Sequence, residues 1–282
     1  MDDLVTPEWL AEQLRAPDLV VLDASKHLPG AGRDAREEYV VGHIPGARFL
    51  DLAALVDLSC NIPNAMPSAE QFARHVAALG IAPDTRVVLY DDSHLRSAAR
   101  AWFVFSAMGW KNVAILDGGL ENWRSAGFAL ESGEQPVAPA TPVAATRDDT
   151  RLRSKRDMLA NCGSGAQQVI DARDPARFAG LSEDTVHGLP GGHIPGARNL
   201  FFRDLLDEHG RFKSRKELRK AFDDVDFIID RPVAVSCGSG MTACVVLFAL
   251  HLLGIEDAAL YDGSWSEWGA DPDTPKQTGA AT

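Results

Sequence analysis

Three motifs of this chain occur twice, in the same order and at a nearly constant offset of about 150 residues. Val20-Val21-Leu22-Asp23-Ala24-Ser25 returns as Val169-Ile170-Asp171-Ala172-Arg173. Gly42-His43-Ile44-Pro45-Gly46-Ala47-Arg48 returns letter for letter as Gly192-His193-Ile194-Pro195-Gly196-Ala197-Arg198. Asp117-Gly118-Gly119-Leu120-Glu121-Asn122-Trp123 returns as Asp262-Gly263-Ser264-Trp265-Ser266-Glu267-Trp268. Three ordered matches at one spacing predict two tandem copies of one domain, over residues 1–130 and 151–282, joined by a linker over 131–150.

Within each copy, strand and helix signals alternate. In the first, Thr6-Pro7-Glu8 opens a helix carrying Trp9, Leu10 and Leu14, with Thr6 as its N-cap. The strand Val20 to Ala24 follows, then a helix from Ser68 to Gly80 and a central strand, Arg86 to Tyr90. A long helix from about Arg96 to Met108 precedes the strand Val113 to Leu116. The second copy repeats the plan with Val169 to Asp171, Lys216 to Phe222, Val233 to Ser236, Met241 to Leu253 and Ala258 to Tyr261. This alternation predicts an α/β fold, each copy a mostly parallel sheet with helices on both faces. Glu131 to Thr146, rich in Pro, Ala, Gly and Thr, has linker composition, and Asp271 to Thr282 reads as a frayed tail.

Composition narrows the class. The chain is 45% hydrophobic and 24% charged, which fits a globular protein with a core. A net charge of -12 argues against nucleic acid or an anionic membrane as partner, while leaving room for a local basic pocket. No apolar run approaches the ~20 residues of a membrane span. Met1-Asp2-Asp3 carries no signal or transit pattern, so the expected location is cytoplasmic, with reduced thiols. Cys60, Cys162, Cys237 and Cys244 show neither CxxC nor metal-ligand spacing, and no metal or other cofactor is expected.

The chemistry concentrates in Arg231 to Thr242. Val233 to Ser236 reads as a buried strand, and the run from Met241 reads as a helix with Leu247, Leu250 and Leu253 on one face. Between them lies Cys237-Gly238-Ser239-Gly240. Two glycines let backbone N–H groups turn toward the sulfur, and the following helix aims its positive end at the same place. A thiol so placed should ionise more readily than a free cysteine, which suits a sulfur nucleophile. Cys162-Gly163-Ser164-Gly165 has the same four letters but precedes a strand, so it reads as a loop coincidence. In the first copy Asp91 stands opposite Cys237, without sulfur or glycines, so that copy should be catalytically silent and serve to complete a cleft.

These paired His-Ile-Pro-Gly-Ala turns, paired Asp-Gly turns and a single cysteine loop resemble the tandem-domain rhodanese family of sulfurtransferases, from Val5 to about Gly269. Its Cys-Gly-Ser-Gly-x-Thr loop is similar to that of the branch using 3-mercaptopyruvate. Thiosulfate-specific members have an Arg-Lys pair where Gly238 and Ser239 stand here, and a neutral loop should favour the thiosulfate dianion less. The resemblance implies that Cys237, cradled by Gly238, Ser239, Gly240, Met241 and Thr242, takes sulfur as a persulfide and releases pyruvate. A small thiol, a thioredoxin-like protein or cyanide then accepts it. The resemblance further implies Arg177 as a substrate-binding residue, and Asp34 and His43 as proton handlers. A second substrate arginine of that branch is missing between Arg177 and His193, where only His187 is basic. His43 and His193 also admit a reading as structural members of identical turns.

Three rivals remain. A thiosulfate:cyanide sulfurtransferase would have the same fold and cysteine. A cysteine phosphatase needs an arginine six residues after the cysteine, where Ala243 stands. A non-catalytic binding module would leave Cys237 unreactive.

Overall fold

Short, continuously apolar runs become parallel strands in both copies, because each is buried on both faces. The computed structural model describes residues 1–280, which fall into two compact units. Unit 1 comprises Met1–Asp57, Met66–Asp148 and Glu208–Arg211; unit 2 comprises Leu58–Ala65, Asp149–Asp207 and Phe212–Thr282.

Unit 1 runs β1 (Leu4–Val5), α1 (Pro7–Gln13), β2 (Leu19–Asp23), α2 (Ala35–Val41) and β3 (Arg48–Phe49). It continues with α3 (Ala69–Ala78), β4 (Arg86–Tyr90), α4 (Ala98–Ala107), β5 (Val113–Leu116) and α5 (Gly119–Ser125). The strands lie in the order β1-β5-β4-β2-β3, all parallel. Local chemistry starts the helices as expected. Thr6 Oγ1 accepts the Trp9 amide ahead of Pro7, and Ser68 and Gln71 form a reciprocal capping box on α3.

Unit 2 runs β6 (Leu152–Arg153), α6 (Lys155–Ser164), β7 (Gln168–Asp171), α7 (Pro175–Ala179) and β8 (Ala197–Asn199). It continues with α8 (Arg215–Asp223), β9 (Val233–Ser236), α9 (Ala243–Leu252), β10 (Ala258–Tyr261) and α10 (Ser264–Trp268). Its order, β6-β10-β9-β7-β8, repeats that of unit 1. From β7 the chain moves outward to β8, and from β9 it moves the opposite way to β10. The carboxyl ends of β7 and β9 therefore border the crevice where parallel sheets bind ligands.

The repeated turns are built alike. His43 Nδ1 lies 2.8 Å from the Tyr39 carbonyl and its ring stacks on Tyr39 at 4.1 Å; His193 does the same with Phe178, at 2.9 and 3.9 Å. Trp123, Trp265 and Trp268 are buried, and each indole N–H donates to a backbone carbonyl.

Several expectations need correction. α9 is buried on every side from Ala243 to Leu250 instead of along one leucine face, as befits a helix enclosed by its own unit. Cys162 lies in the last turn of α6, closed by Gly165 in the left-handed conformation, so the second Cys-Gly-Ser-Gly is a helix end and not a loop. Residues 131–148 form no helix or strand apart from a bridge at Glu131. They are nonetheless tied to unit 1, with Glu131 paired to His43, Ala140 N–H on the Ala77 carbonyl and Asp148 N–H on that of Ala107. The expected tail is docked through its described part: Gln277 pairs with His193, Thr274 is buried, and Lys155 holds Asp271 at 2.7 Å. Thr282, the end of that expectation, lies outside the described residues. No described helix is long and apolar enough to cross a membrane.

Candidate active site

β9 ends at Ser236, which pairs with Asp171 at the end of β7, and Cys237 is the next residue. It is 1% exposed. The chain then turns through Gly240, at φ +74, a backbone that a side chain would strain, into the first turn of α9.

Three anchors shape this loop. The buried Ser264 hydroxyl accepts the amides of Cys237 and Gly240, both at 3.1 Å, and donates to the Tyr261 carbonyl at 2.8 Å. The carbonyls of Cys237 and Gly238 accept the amides of Trp265 and Ser266 at 3.0 and 2.8 Å. Asn64 Nδ2 donates to the Ser239 carbonyl and hydroxyl, each at 3.1 Å. The expected inward-facing amides are thus divided into two sets. Those of Cys237 and Gly240 serve Ser264, whereas no described residue accepts from Gly238, Ser239, Met241, Thr242 or Ala243. Thr242 makes no side-chain cap, so these donors at the start of α9 stay available to an electron-rich atom.

Unit 1 displays what such a junction holds. Leu120 donates to the Asp91 carbonyl at 3.0 Å, as Trp265 does to that of Cys237, so Asp91 occupies the corresponding place. Its carboxyl oxygens accept the amides of Ser93 at 3.0 Å and Ala98 at 2.8 Å. Burial raises the Asp91 carboxyl above its ordinary pKa, against the pull of Arg96 and these amides. Where unit 1 caps its helix with an acid, unit 2 leaves the donors open beside a thiol.

Charged groups cluster next to the cysteine. Arg173, 1% exposed, forks onto Asp171 with its Nε and Nη2 and gives a second Nη2 contact to the Gly192 carbonyl at 2.6 Å. Its guanidinium lies 4.5 Å from the Trp265 ring centroid, and Nη1 is buried without an acceptor among the described residues. Burial opposes this charge, but Asp171, with smaller contributions from Asp184 and Cys237, holds the guanidinium above its usual pKa. The Arg177 amide is capped by Asp174, its Nε pairs with the same carboxylate, and its Nη1 lies 3.5 Å from Asp184. Asp184 is fully buried, and its Oδ2 is 3.0 Å from His187 Nδ1. These two atoms are too poorly aligned to count as hydrogen bonded, so the contact is electrostatic. Burial raises the Asp184 carboxyl, but His187, Arg177 and Arg173 outweigh it and hold the group below its ordinary value. The His187 ring meanwhile covers the cysteine loop: a Cβ on Gly238 would lie 2.6 Å from His187 Cε1.

The two first-copy residues expected to handle protons have other partners. Asp34 Oδ1 accepts the amides of Arg36 and Glu37 at 2.9 and 3.0 Å as the N-cap of α2. His43 is fully buried between Tyr39 and Gln135, and His193 repeats its stacked setting. Sequence reasoning missed Arg173, Asp184, Ser264 and Asn64. Ser264 alone left a trace, since it stands where the first copy has Gly119 and keeps the same left-handed backbone, φ +49 against +62.

Comparison with known proteins bears on this arrangement. The rhodanese-like domain pattern matches residues 6–126 and again 154–271. The chain is 41% identical to 3-mercaptopyruvate sulfurtransferase of Homo sapiens, over 94% of this chain and 91% of the relative. It is 40% identical to thiosulfate sulfurtransferase of Cricetulus griseus over the same shares, 94% and 91%. The crystal structure of SseA from Escherichia coli, described as a 3-mercaptopyruvate sulfotransferase, matches with a TM-score of 0.85 and 37% identity. That match covers 94% of this chain and 99% of that one. Matched in both halves, with one cysteine loop between β9 and α9, the chain belongs to the rhodanese family.

Proposed function

We propose that this chain is a sulfurtransferase that moves sulfur from 3-mercaptopyruvate, through a persulfide on Cys237, to a thiol or cyanide. The observation that carries this reading is the set of open amides around a buried cysteine at the carboxyl end of the central strand. Backbone donors stabilise a thiolate and the terminal sulfur of a persulfide without a cation in the loop. Cys237 thiolate attacks the donor sulfur, and the enolate of pyruvate leaves. The acceptor then removes the outer sulfur and regenerates the thiolate. Arg177, steadied by Asp174 and Asp184, is the group we assign to the donor carboxylate. The neutral Gly238 and Ser239 favour this donor over thiosulfate, and the names of the human and Escherichia coli relatives support the same choice. The hamster relative's name keeps thiosulfate as the second reading. We further infer a site of action in the cytoplasm.

Mass spectrometry after exposure to 3-mercaptopyruvate tests the reading. A gain of one sulfur atom is expected on the peptide holding Cys237, and Cys237→Ser should abolish both that gain and turnover. Sulfur on Cys162 or Cys244 instead, or persistent turnover by the serine variant, would sink it.

A further inference from the structure

Donor chemistry creates a demand that the cysteine loop does not meet. When Cys237 thiolate attacks 3-mercaptopyruvate, an S–S bond forms and the S–C3 bond breaks. The electron pair goes to C3 as the enolate of pyruvate. The donor thiol proton must leave sulfur, and C3 must gain one. Thiosulfate makes no such demand, because sulfite departs with the electron pair and no proton moves. A proton carrier is therefore needed for one donor and not for the other.

Asp34 and His43 are engaged elsewhere, by helix-cap amides and by an aromatic stack. Unit 2 offers a second imidazole. His187 lies against Gly238, the residue after the nucleophile, with Cε1 directed at it and the two ring nitrogens on either side. Nδ1 faces the Asp184 carboxylate at 3.0 Å, and Asp184 is itself fixed by its amide on the Leu189 carbonyl and by Arg177. The other charged groups of this cluster are Arg173, whose charge acts on Asp184, and Asp171, which pairs with Arg173. Among the described residues Nε2 has no hydrogen-bond partner, and it is not shut off from solvent, so it is the nitrogen open to substrate.

We propose that His187, oriented by Asp184, is the proton carrier of the 3-mercaptopyruvate half-reaction. Nε2 takes the proton of the donor thiol as sulfur bonds to Cys237 and delivers it to C3 of the enolate. Persulfide and pyruvate result, and the imidazole returns to its starting state. Asp184 is a positioning residue: its ionised carboxylate, 3.0 Å from Nδ1, draws the ring proton to that nitrogen by its charge and leaves Nε2 as the acceptor. This assignment rests on the donor reading above.

The test compares two donors with cyanide as the common acceptor, using the full chain. His187→Gln should lower the ratio of kcat with 3-mercaptopyruvate to kcat with thiosulfate by about 100-fold, the usual scale of general acid–base catalysis. His187→Ala should show the same loss, and added imidazole should restore turnover with 3-mercaptopyruvate but not with thiosulfate. Asp184→Asn should lower the ratio in the same direction, with its effect in kcat and not in KM. Equal losses with both donors would mark His187 as structural and overturn the assignment. So would a raised KM for 3-mercaptopyruvate with kcat intact, which would make it a carboxylate ligand. If the unaltered chain takes no sulfur from 3-mercaptopyruvate, the donor reading itself falls, an outcome the variants cannot mimic.

Discussion

A single hydroxyl decides how the cysteine loop closes. Ser264 receives two amides and donates once, all inside the fold, so removing its oxygen orphans two buried donors. Ser264→Ala should therefore destabilise the protein by about 1–3 kcal/mol and depress turnover with either donor. Urea unfolding measures the first effect, and a loss below about 0.5 kcal/mol would contradict this role. Unit 1 holds a second informative residue. Burial pushes the Asp23 carboxyl up to about 6, with the hydroxyl and amide of Ser25 opposing it. Its folded pKa exceeds the unfolded value near 3.9, so the folded state keeps a proton that the unfolded chain releases. Stability from this group is present in acid and is lost as pH rises through about 6. Asp23→Asn keeps an acceptor for the Ser25 amide. It should flatten that pH dependence and stabilise the protein at pH 7 by up to roughly 3 kcal/mol. Urea midpoints between pH 4 and 8 would reveal an unchanged slope if the account is wrong.

At the scale of elements, α4 and α9 occupy matching places and begin differently. Neither N-cap residue makes a side-chain cap, but the Asp91 carboxyl accepts the first α4 amide, that of Ala98, whereas no described residue accepts that of Ala243. Asp91→Ala should cost about 0.5–2 kcal/mol, the usual range for a lost cap, read from the thermal midpoint. An unchanged midpoint would show that α4 does not depend on this acid. The same comparison explains what the letters could and could not convey. Helices with caps, such as α1 and α3, and strands with apolar runs, such as β4 and β9, were legible because their signals are local. The two-residue strands β1, β3 and β6 and the five-residue helices α7 and α10 are too short to carry a period. α9 misled because a helix enclosed on all sides has no single apolar face.

Across the whole molecule, the tandem plan was written openly in the duplicated motifs, and the place of Cys237 at a strand–helix junction was legible in the apolar run before it and the helical run after it. The charged cluster was not. Asp184 and His187 stand three residues apart, but their meeting with the cysteine loop depends on the β7 crossover folding back beside β9, which no sequence interval encodes. One consequence concerns evolutionary history. His187 Cε1 lies 2.6 Å from where a Cβ on residue 238 would sit, so a side chain there must displace this imidazole. Gly238→Arg alone should cripple sulfur transfer, and adding His187→Ala should recover part of the thiosulfate reaction. A double-mutant cycle should show a coupling of about 0.5–3 kcal/mol in transition-state free energy. A lineage drifting from one sulfur donor toward the other would thus meet epistasis here, because the effect of a side chain at 238 depends on whether the imidazole has already gone.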